Sequence, residues 1–165
     1  MNPEQLRALQ APLKQKYKDD PATALVTLRA RAQATDGFVG KVETGKARPE
    51  TGMHPAAGGD GVLPCSGDLL LEAVASCAAL TMRAVATAIG VNLRSLRVTA
   101  EGDIDFRGTL GVSKDVPVGF RDIRLQFDLD TDASDDQRAT LIRLTERYCV
   151  VLQTLRQSPR IGIRQ

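Results

Sequence analysis

The feature that most constrains the fold is the stretch GDLLLEAVASCAALTMRAVATAIG, which occupies residues 67–90. Its apolar residues recur at helical spacing, it carries almost no charge, and a glycine stands at either end, so it predicts one long buried helix. Cys77 lies at the centre of this helix, and most residues on its face are apolar: Leu70, Ala73, Val74, Leu80, Thr81 and Ala84. Apolar surroundings raise the pKa of a thiol, so the pattern by itself favours a structural role for Cys77.

The composition excludes several functional classes. The chain has 165 residues, enough for one domain, with 42% hydrophobic residues, 25% charged residues and a net charge of +2. This balance shows no charge excess for a nucleic-acid or membrane surface, and the 4% aromatic content argues against a base-stacking platform. The N-terminus lacks a secretory signal pattern, so we expect a cytoplasmic protein that binds neither nucleic acid nor a membrane.

The segments on either side of this helix predict an α+β fold. Helical spacing in residues 1–22 predicts an N-terminal helical extension, followed by a single domain over residues 23–165. Apolar and polar residues alternate over residues 28–34, before the turn sequence TDG, which is typical of a hairpin. Alternation also predicts long strands in LRSLRVTAEGDIDF and FRDIRLQFDLD, each with one apolar and one polar face. We therefore expect antiparallel strands packed on the long central helix.

The C-terminal part of the chain predicts one more helix. Ser134 and Gln137 have the spacing of a capping box, and apolar residues at helical intervals then continue through Leu155. Cys149 falls within this predicted helix. The final RIGIR segment has the alternation of a short edge strand.

The number of cysteines argues against a disulfide framework. In a reducing compartment, an odd number of cysteines indicates free, catalytic or metal-binding thiols. Cys65 lies about 16 Å from Cys77 if most of the separation is helical, which excludes a bridge between them. Two interpretations of Cys65 remain. It is either an extra redox thiol whose pKa is lowered by the helix start or an incidental loop cysteine, and the sequence context favours the second interpretation. His54, Asp60 and Cys65 lack close-spaced ligand pairs, so we expect no metal and no other cofactor.

Two motifs resemble the OsmC/Ohr family, which contains the osmotically inducible and organic hydroperoxide resistance proteins. The family carries a cysteine after LLxAxxxC on a central helix and a second cysteine in a segment close to CPVxxTL. The corresponding segments here are LLEAVASC, ending at Cys77, and CVVLQTL, beginning at Cys149. The resemblance extends over residues 23–164 and leaves the first helix as an addition.

The resemblance implies a fold, an activity and partners. It implies an intertwined homodimer with the thiols near the subunit interface, which accounts for a central helix that is apolar nearly all round. It also implies that Cys77 reduces an organic or hydrogen peroxide and becomes a sulfenic acid. Cys149 then forms a disulfide with it, and an external dithiol reduces that disulfide.

Two departures from the family pattern leave a second hypothesis open. The family has a thiolate-stabilising arginine near the first hairpin turn, but here only Arg29 and Arg31, one strand earlier, could substitute for it; both also suit a solvated strand face. The family glutamate before the cysteine corresponds only to Asp68, which also suits a first helical turn. The sequence therefore leaves open whether the chain is a thiol peroxidase or a non-catalytic protein of this fold that binds a small apolar ligand or senses redox state.

Overall fold

The computed structural model describes residues 3–35, 39–43 and 51–163. The helices are α1 (Pro3–Asp19), α2 (Ser66–Ala88), α3 (Phe106–Thr109), α4 (Asp135–Tyr148) and α5 (Val150–Arg156). The strands are β1 (Leu25–Thr35), β2 (Val39–Glu43), β3 (Leu93–Asp105) and β4 (Phe120–Thr131). Two short 3₁₀ helices occupy Pro21–Ala24 and Pro55–Ala57. The chain divides into two compact units, through both of which α2, β3 and β4 run.

The long apolar helix forms as the sequence predicts. Gly90 ends it in the left-handed conformation with a φ of 72°, which glycine adopts without steric cost. The N–H of Gly90 donates to the carbonyl of Thr87 at 3.3 Å, and the N–H of Val91 donates to the carbonyl of Ala86 at 2.9 Å. These are the two hydrogen bonds of a Schellman motif, so the glycine after the apolar run terminates α2.

The strands form one sheet in the order β2-β1-β3-β4. Arg94, near the start of β3, donates to Asp130, near the end of β4, at 2.7 Å. Arg124, near the start of β4, donates to Asp103, near the end of β3, at 2.6 Å. The paired ends show that β3 and β4 are antiparallel, so the predicted α+β fold with antiparallel strands is confirmed.

The first unit comprises Met1–Ala30, Glu43–Glu72 and Ala100–Leu125. Tyr17 of α1 is 2% exposed, and its hydroxyl donates to the carbonyl of Ala56 at 2.6 Å. Other buried members of this core are Ala24, Ala57, Phe106 and Leu110. Helix α1 is thus anchored in a core, while the division into an extension over residues 1–22 and a domain over 23–165 stays a prediction.

Strand β3 packs closely against the start of α2 in this unit. A Cβ atom on Gly102 would lie 2.5 Å from the ring of Phe120 and 3.1 Å from Cδ2 of Leu71. Leu71, in the first turns of α2, is fully buried. Glycine at position 102 therefore lets the ring from β4 and the leucine from α2 both contact the strand backbone.

Asp105, predicted on the polar face of β3, is instead fully buried. Its carboxylate accepts hydrogen bonds from the backbone N–H of Arg107 at 3.1 Å and from Nε of the same residue at 3.0 Å, and it caps α3. Arg121 lies 3.7 Å away. The chain turns back over the end of β3, so the alternation of apolar and polar residues no longer determines which side chains are exposed there. The hydrogen bonds from Arg107 are the main cause of the lowered pKa of Asp105.

We expect Asp105→Asn to destabilise the protein by about 2 kcal/mol at pH 7, because it removes charge-assisted hydrogen bonds from a buried acceptor. Because folding lowers the pKa of Asp105, its contribution is present above the unfolded pKa and is lost as the pH falls through the folded pKa. Urea unfolding at pH 7 and at acid pH measures this difference. The exposed Asp115→Asn variant is the control, and equal losses for the two variants would contradict the prediction.

The second unit comprises Arg31–Val42, Ala73–Thr99 and Gln126–Gln165. Nη1 of Arg83 donates to the carbonyl of Leu93 at 2.6 Å, joining α2 to β3. The predicted capping box is confirmed: the N–H of Ser134 donates to the Gln137 side chain at 2.9 Å, and the N–H of Gln137 donates to Oγ of Ser134 at 3.3 Å.

Two expectations for the C-terminal region are wrong. The last helix is not continuous, because Cys149 adopts an extended conformation (φ −70°, ψ 107°) between α4 and α5. A single extended residue leaves the apolar spacing nearly unchanged, so the sequence pattern hid the break. The predicted edge strand does not form over the described residues 160–163, where Ile161 and Ile163 are 81% and 92% exposed.

Candidate functional site

The structure brings the thiols of Cys77 and Cys149 together within the second unit. Cys77 lies in the middle of α2 and is partly exposed, while Cys149 is fully buried between α4 and α5. Both cysteines are free, and the Cys77 thiol lies close enough to Cys149 to affect the pKa of that residue. Two residues far apart in sequence thus form a thiol pair in which only one member is accessible.

The environment of Cys149 favours the neutral thiol. Burial is the largest effect on its pKa and raises it from the ordinary 9.0 to about 11. Two backbone N–H groups, those of Leu152 and Val151, act in the opposite direction, because they favour the thiolate. The adjacent Cys77 thiol adds to the increase. Cys149 therefore carries its proton at neutral pH.

Cys77 also lies on an apolar stripe of α2, formed by Ala73, Cys77, Leu80 and Ala84, which follow one another at helical spacing. Ala73 and Ala84 are exposed, and Cys77 and Leu80 are half-buried. The opposite side of the helix is buried, including Ala75, Ala78 and Met82. By length and composition α2 could cross a membrane, but core helices share these properties, and 44% of its most apolar window is buried within the chain.

Asp68 and Cys65 form a cluster at the start of α2. Oδ2 of Asp68 accepts a hydrogen bond from the backbone N–H of Cys65 at 2.8 Å, and the carboxylate also acts on the pKa of the Cys65 thiol. Burial is the main cause of the raised pKa of Cys65, and the carboxylate adds to it through the thiol. The lowered pKa expected for a redox thiol at a helix start is therefore not found. In the first unit, Asp68 therefore contacts Cys65.

His54 has structural contacts in the same unit. Its Nδ1 accepts a hydrogen bond from the N–H of Ala56 at 3.0 Å, and its ring stacks on Phe106 with centroids 4.9 Å apart. Burial lowers the pKa of His54, opposed by the charge of Asp68. Within residues 3–35, 39–43 and 51–163, no group of three or more His, Cys, Asp or Glu residues is arranged to hold a metal ion.

The predicted supporting arginines remain predictions. The side chain of Arg29 and the hairpin turn at residues 36–38 lie outside the described residues. Arg31, in the second unit, is exposed.

Sequence reasoning missed Thr145, one helical turn before Cys149. Its side chain is fully buried, and its hydroxyl has no hydrogen-bond partner among the described residues. The available signal was a threonine four residues before the second cysteine, on the face of α4 that also carries Leu141.

The comparisons with known proteins concern the family and the fold. The sequence model of the family described as OsmC-like protein matches residues 58–164. An OsmC-like hydroperoxide resistance protein from Jannaschia sp. CCS1 superposes with a TM-score of 0.61 at 16% identity, covering 84% of this chain and 91% of that one. An OsmC-like protein from Mycoplasma pneumoniae gives a TM-score of 0.54 at 17% identity, covering 81% and 86%. No curated protein sequence matches the chain. Since the family match covers more than half of its length, the chain belongs to the OsmC-like protein family.

Proposed function

We propose that the chain is a thiol-dependent peroxidase in which Cys77 reacts with the peroxide and Cys149 resolves the product. The observation that carries this proposal is the pair of neighbouring free thiols, of which one is partly exposed and the other buried. Neither thiol is engaged in a disulfide, so the pair stands in the reduced form that a peroxide would meet.

The proposed cycle has three balanced steps. The Cys77 thiol ionises, its thiolate attacks the terminal oxygen of a hydroperoxide and the O–O bond breaks. The sulfur becomes a sulfenic acid, and the leaving oxygen takes up the proton that the thiol lost and departs as an alcohol or water. The sulfur of Cys149 then attacks the sulfur of Cys77, the S–O bond breaks, and the departing oxygen leaves as water with the proton of the Cys149 thiol. An external dithiol reduces the resulting disulfide by two thiol–disulfide exchanges and is itself oxidised.

The difference in exposure supports this assignment of the two roles. A peroxide can reach the partly exposed Cys77, whereas the fully buried Cys149 is shielded and holds its proton at neutral pH. The apolar stripe around Cys77 suits the alkyl group of an organic hydroperoxide, and a solved neighbour of the same fold is named a hydroperoxide resistance protein. The cycle needs reducing conditions, so we place the protein in the cytoplasm.

A second copy of the chain is the proposed partner of the α2 stripe. Ala73, Leu80 and Ala84 are left partly or fully exposed by a single chain, although they belong to its most apolar helix. Pairing two chains through this stripe would bury them and would place Cys77 at the interface. A cation to stabilise the Cys77 thiolate would then come from the hairpin, through Arg29 or Arg31, or from the other subunit, with Asp68 as a supporting carboxylate.

We expect Ala84→Glu to convert the dimer into a monomer. Glutamate is a good helix former and position 84 is exposed in a single chain, so the isolated fold tolerates it, whereas a charge buried in an apolar interface is costly. Analytical ultracentrifugation measures the change, with Ala139→Glu on the exposed face of α4 as the matched control. A dimer that persists in Ala84→Glu, or a wild type that is monomeric, would rule out pairing through this stripe.

One observation favours the alternative, a non-catalytic protein that binds a small apolar ligand or senses redox state. The buried Cys149 thiol, with its pKa of about 11, is mostly protonated at neutral pH, and the thiolate is the reactive form. Slow resolution of this kind suits a sensor that stays oxidised better than an enzyme that must turn over.

Peroxide consumption distinguishes the two functions. Reduced protein is supplied with excess dithiothreitol and either cumene hydroperoxide or hydrogen peroxide, and the remaining peroxide is assayed over time. The peroxidase hypothesis predicts many turnovers per chain, faster with the organic peroxide because of the apolar stripe. Consumption no faster than that by dithiothreitol alone would leave the binding or sensing function.

A further inference from the structure

The hydroxyl of Thr145 is a buried group that the proposed cycle leaves without a role. The residue is fully buried, and its Oγ1 has no hydrogen-bond partner among the described residues. A buried hydroxyl without a partner destabilises the folded state, so a group of this kind needs an explanation. The reduced state of the protein does not supply one.

The position of Thr145 relates it to the resolving thiol. The backbone N–H of Cys149 donates to the carbonyl of Thr145 at 2.9 Å, the last hydrogen bond of α4, so the two residues stand one turn apart on one face. Side chains in this relation have Cβ atoms about 5–6 Å apart, close enough for a hydroxyl to meet a sulfur after rotation about one side-chain bond. Cys149 is the C-cap of α4, and the chain leaves the helix through its ψ of 107°, which lies beyond its Cα atom, so its relation to Thr145 stays that of the last helical turn.

The sulfur of Cys149 already interacts with two backbone donors. The N–H groups of Leu152 and Val151, at the start of α5, interact with it in a way that favours the thiolate. A neutral thiol needs few donors, whereas a thiolate accepts several hydrogen bonds. The free hydroxyl is therefore a donor that the thiol state leaves unused and the thiolate state can use.

We propose that Thr145 is a positioning residue for resolution: its hydroxyl donates a hydrogen bond to Cys149 when that thiol loses its proton to attack the Cys77 sulfenic acid. The inference rests on the proposed function for the identity of the attacking group. In this step the Cys149 thiolate attacks the sulfur of Cys77, the S–S bond forms and the S–O bond breaks. The oxygen leaves as water, taking up the proton released from Cys149. A peroxide has already supplied the oxidising equivalents.

The other charges around Cys149 leave this role open. Cys77, on α2, is the titratable side chain that contacts it. Glu146 and Arg147 lie in α4 and Arg156 in α5, and Glu146 pairs with Arg156 at 3.6 Å. Arg156 is thus engaged by a carboxylate, and Arg147 lies over the ring of Tyr148 at 5.4 Å, so both arginines already have partners.

Thr145→Val tests the proposal, because valine has the same shape and lacks the hydroxyl. Reduced protein is mixed with one equivalent of cumene hydroperoxide between pH 7 and 10.5 and quenched. Trapping with dimedone counts the sulfenic acid on Cys77, and mass spectrometry counts the disulfide. We expect sulfenic acid to form at the wild-type rate, and the disulfide to form about tenfold more slowly at pH 8, with the pH profile displaced upward by about one unit.

Thr145→Ser is the matched control and should keep the wild-type profile, because it retains the hydroxyl. An unchanged profile in Thr145→Val, or equal displacement in Thr145→Ser, would overturn the role of Thr145, since a purely structural effect alters stability without moving the profile. Absence of sulfenic acid on wild-type Cys77 would instead overturn the proposed function.

A second measurement tests Thr145 without any peroxide. In a chain carrying Cys65→Ser and Cys77→Ser, Cys149 is the remaining cysteine, and the ¹³C shift of its Cβ reports ionisation. We expect Thr145→Val to raise the midpoint of this titration by about one unit, and Thr145→Ser to leave it unchanged. Equal midpoints in the threonine and valine chains would contradict the proposal, even if valine slows resolution.

Discussion

Replacing Cys77 by serine is expected to lower peroxide consumption by at least about 10³-fold, to the background rate, because a serine hydroxyl without a base is a far weaker nucleophile than a thiolate. The fold should persist, since position 77 is only half-buried and serine is smaller than cysteine. The measurement is turnover of cumene hydroperoxide with dithiothreitol, alongside a thermal melt of each protein.

The Cys149→Ser variant tests the second step, in which the disulfide forms. It should still form sulfenic acid on Cys77 at the wild-type rate but should form no disulfide. Cys65→Ser should behave as wild type, because Cys65 lies in the other unit, hydrogen-bonded to Asp68. Activity retained in Cys77→Ser, or lost in Cys65→Ser, would contradict the assignment of the peroxidatic thiol.

Raising the pH from 8 to 11 is expected to reduce the unfolding free energy of the wild type by about 2–3 kcal/mol more than that of Cys149→Ala. Folding raises the pKa of Cys149 from 9.0 to about 11, because the thiol is buried. The folded state therefore holds the proton more tightly. The stabilisation is fully present below pH 9 and is lost between pH 9 and 11, as the unfolded chain ionises first.

Urea unfolding of both reduced proteins at several pH values measures this difference. Titration of lysines and tyrosines is common to the two chains and cancels in the comparison. Cys149→Ala also leaves a small cavity, which lowers stability by the same amount at every pH and does not affect the slope. Parallel dependence on pH in the two proteins would show that the Cys149 thiol is not held neutral by the fold.

The elements of the fold were largely predictable, because they depend on local patterns. The apolar run with its final Gly90 specified α2, and that glycine adopts the left-handed conformation that ends the helix. Alternation specified β3 and β4, and the capping residue Ser134 fixed the start of α4. Each of these signals acts within a few residues, and the physical cause is visible in the sequence itself.

The parts that the sequence did not reveal depend on tertiary contacts. Asp105 occupies a position that alternation assigns to the polar face of β3, yet it is buried. The guanidinium of Arg107, in the following turn, hydrogen-bonds to its carboxylate and balances its charge. The break at Cys149 preserves the helical spacing of apolar residues on both sides, so this spacing does not indicate the break.

The site itself was predictable only in part. The motifs marked Cys77 and Cys149, but the burial that separates an accessible from a shielded thiol arises when α2 packs against the C-terminal helices of its unit. A helix start lowers the pKa of a thiol, but the pKa of Cys65 is raised, because burial outweighs the effect of the helix N-terminus there. The orphaned hydroxyl of Thr145 is likewise a property of packing.

The central claim is that Cys77 and Cys149 form a redox pair, and peptide mapping after mild oxidation tests it most directly. Reduced protein is treated with one equivalent of cumene hydroperoxide, its free thiols are counted, and the cross-linked peptides are identified by mass spectrometry. We predict that two of the three thiols disappear, that Cys77 is linked to Cys149 within one chain, and that Cys65 stays free. Three remaining free thiols, or a cross-link that includes Cys65, would contradict the account.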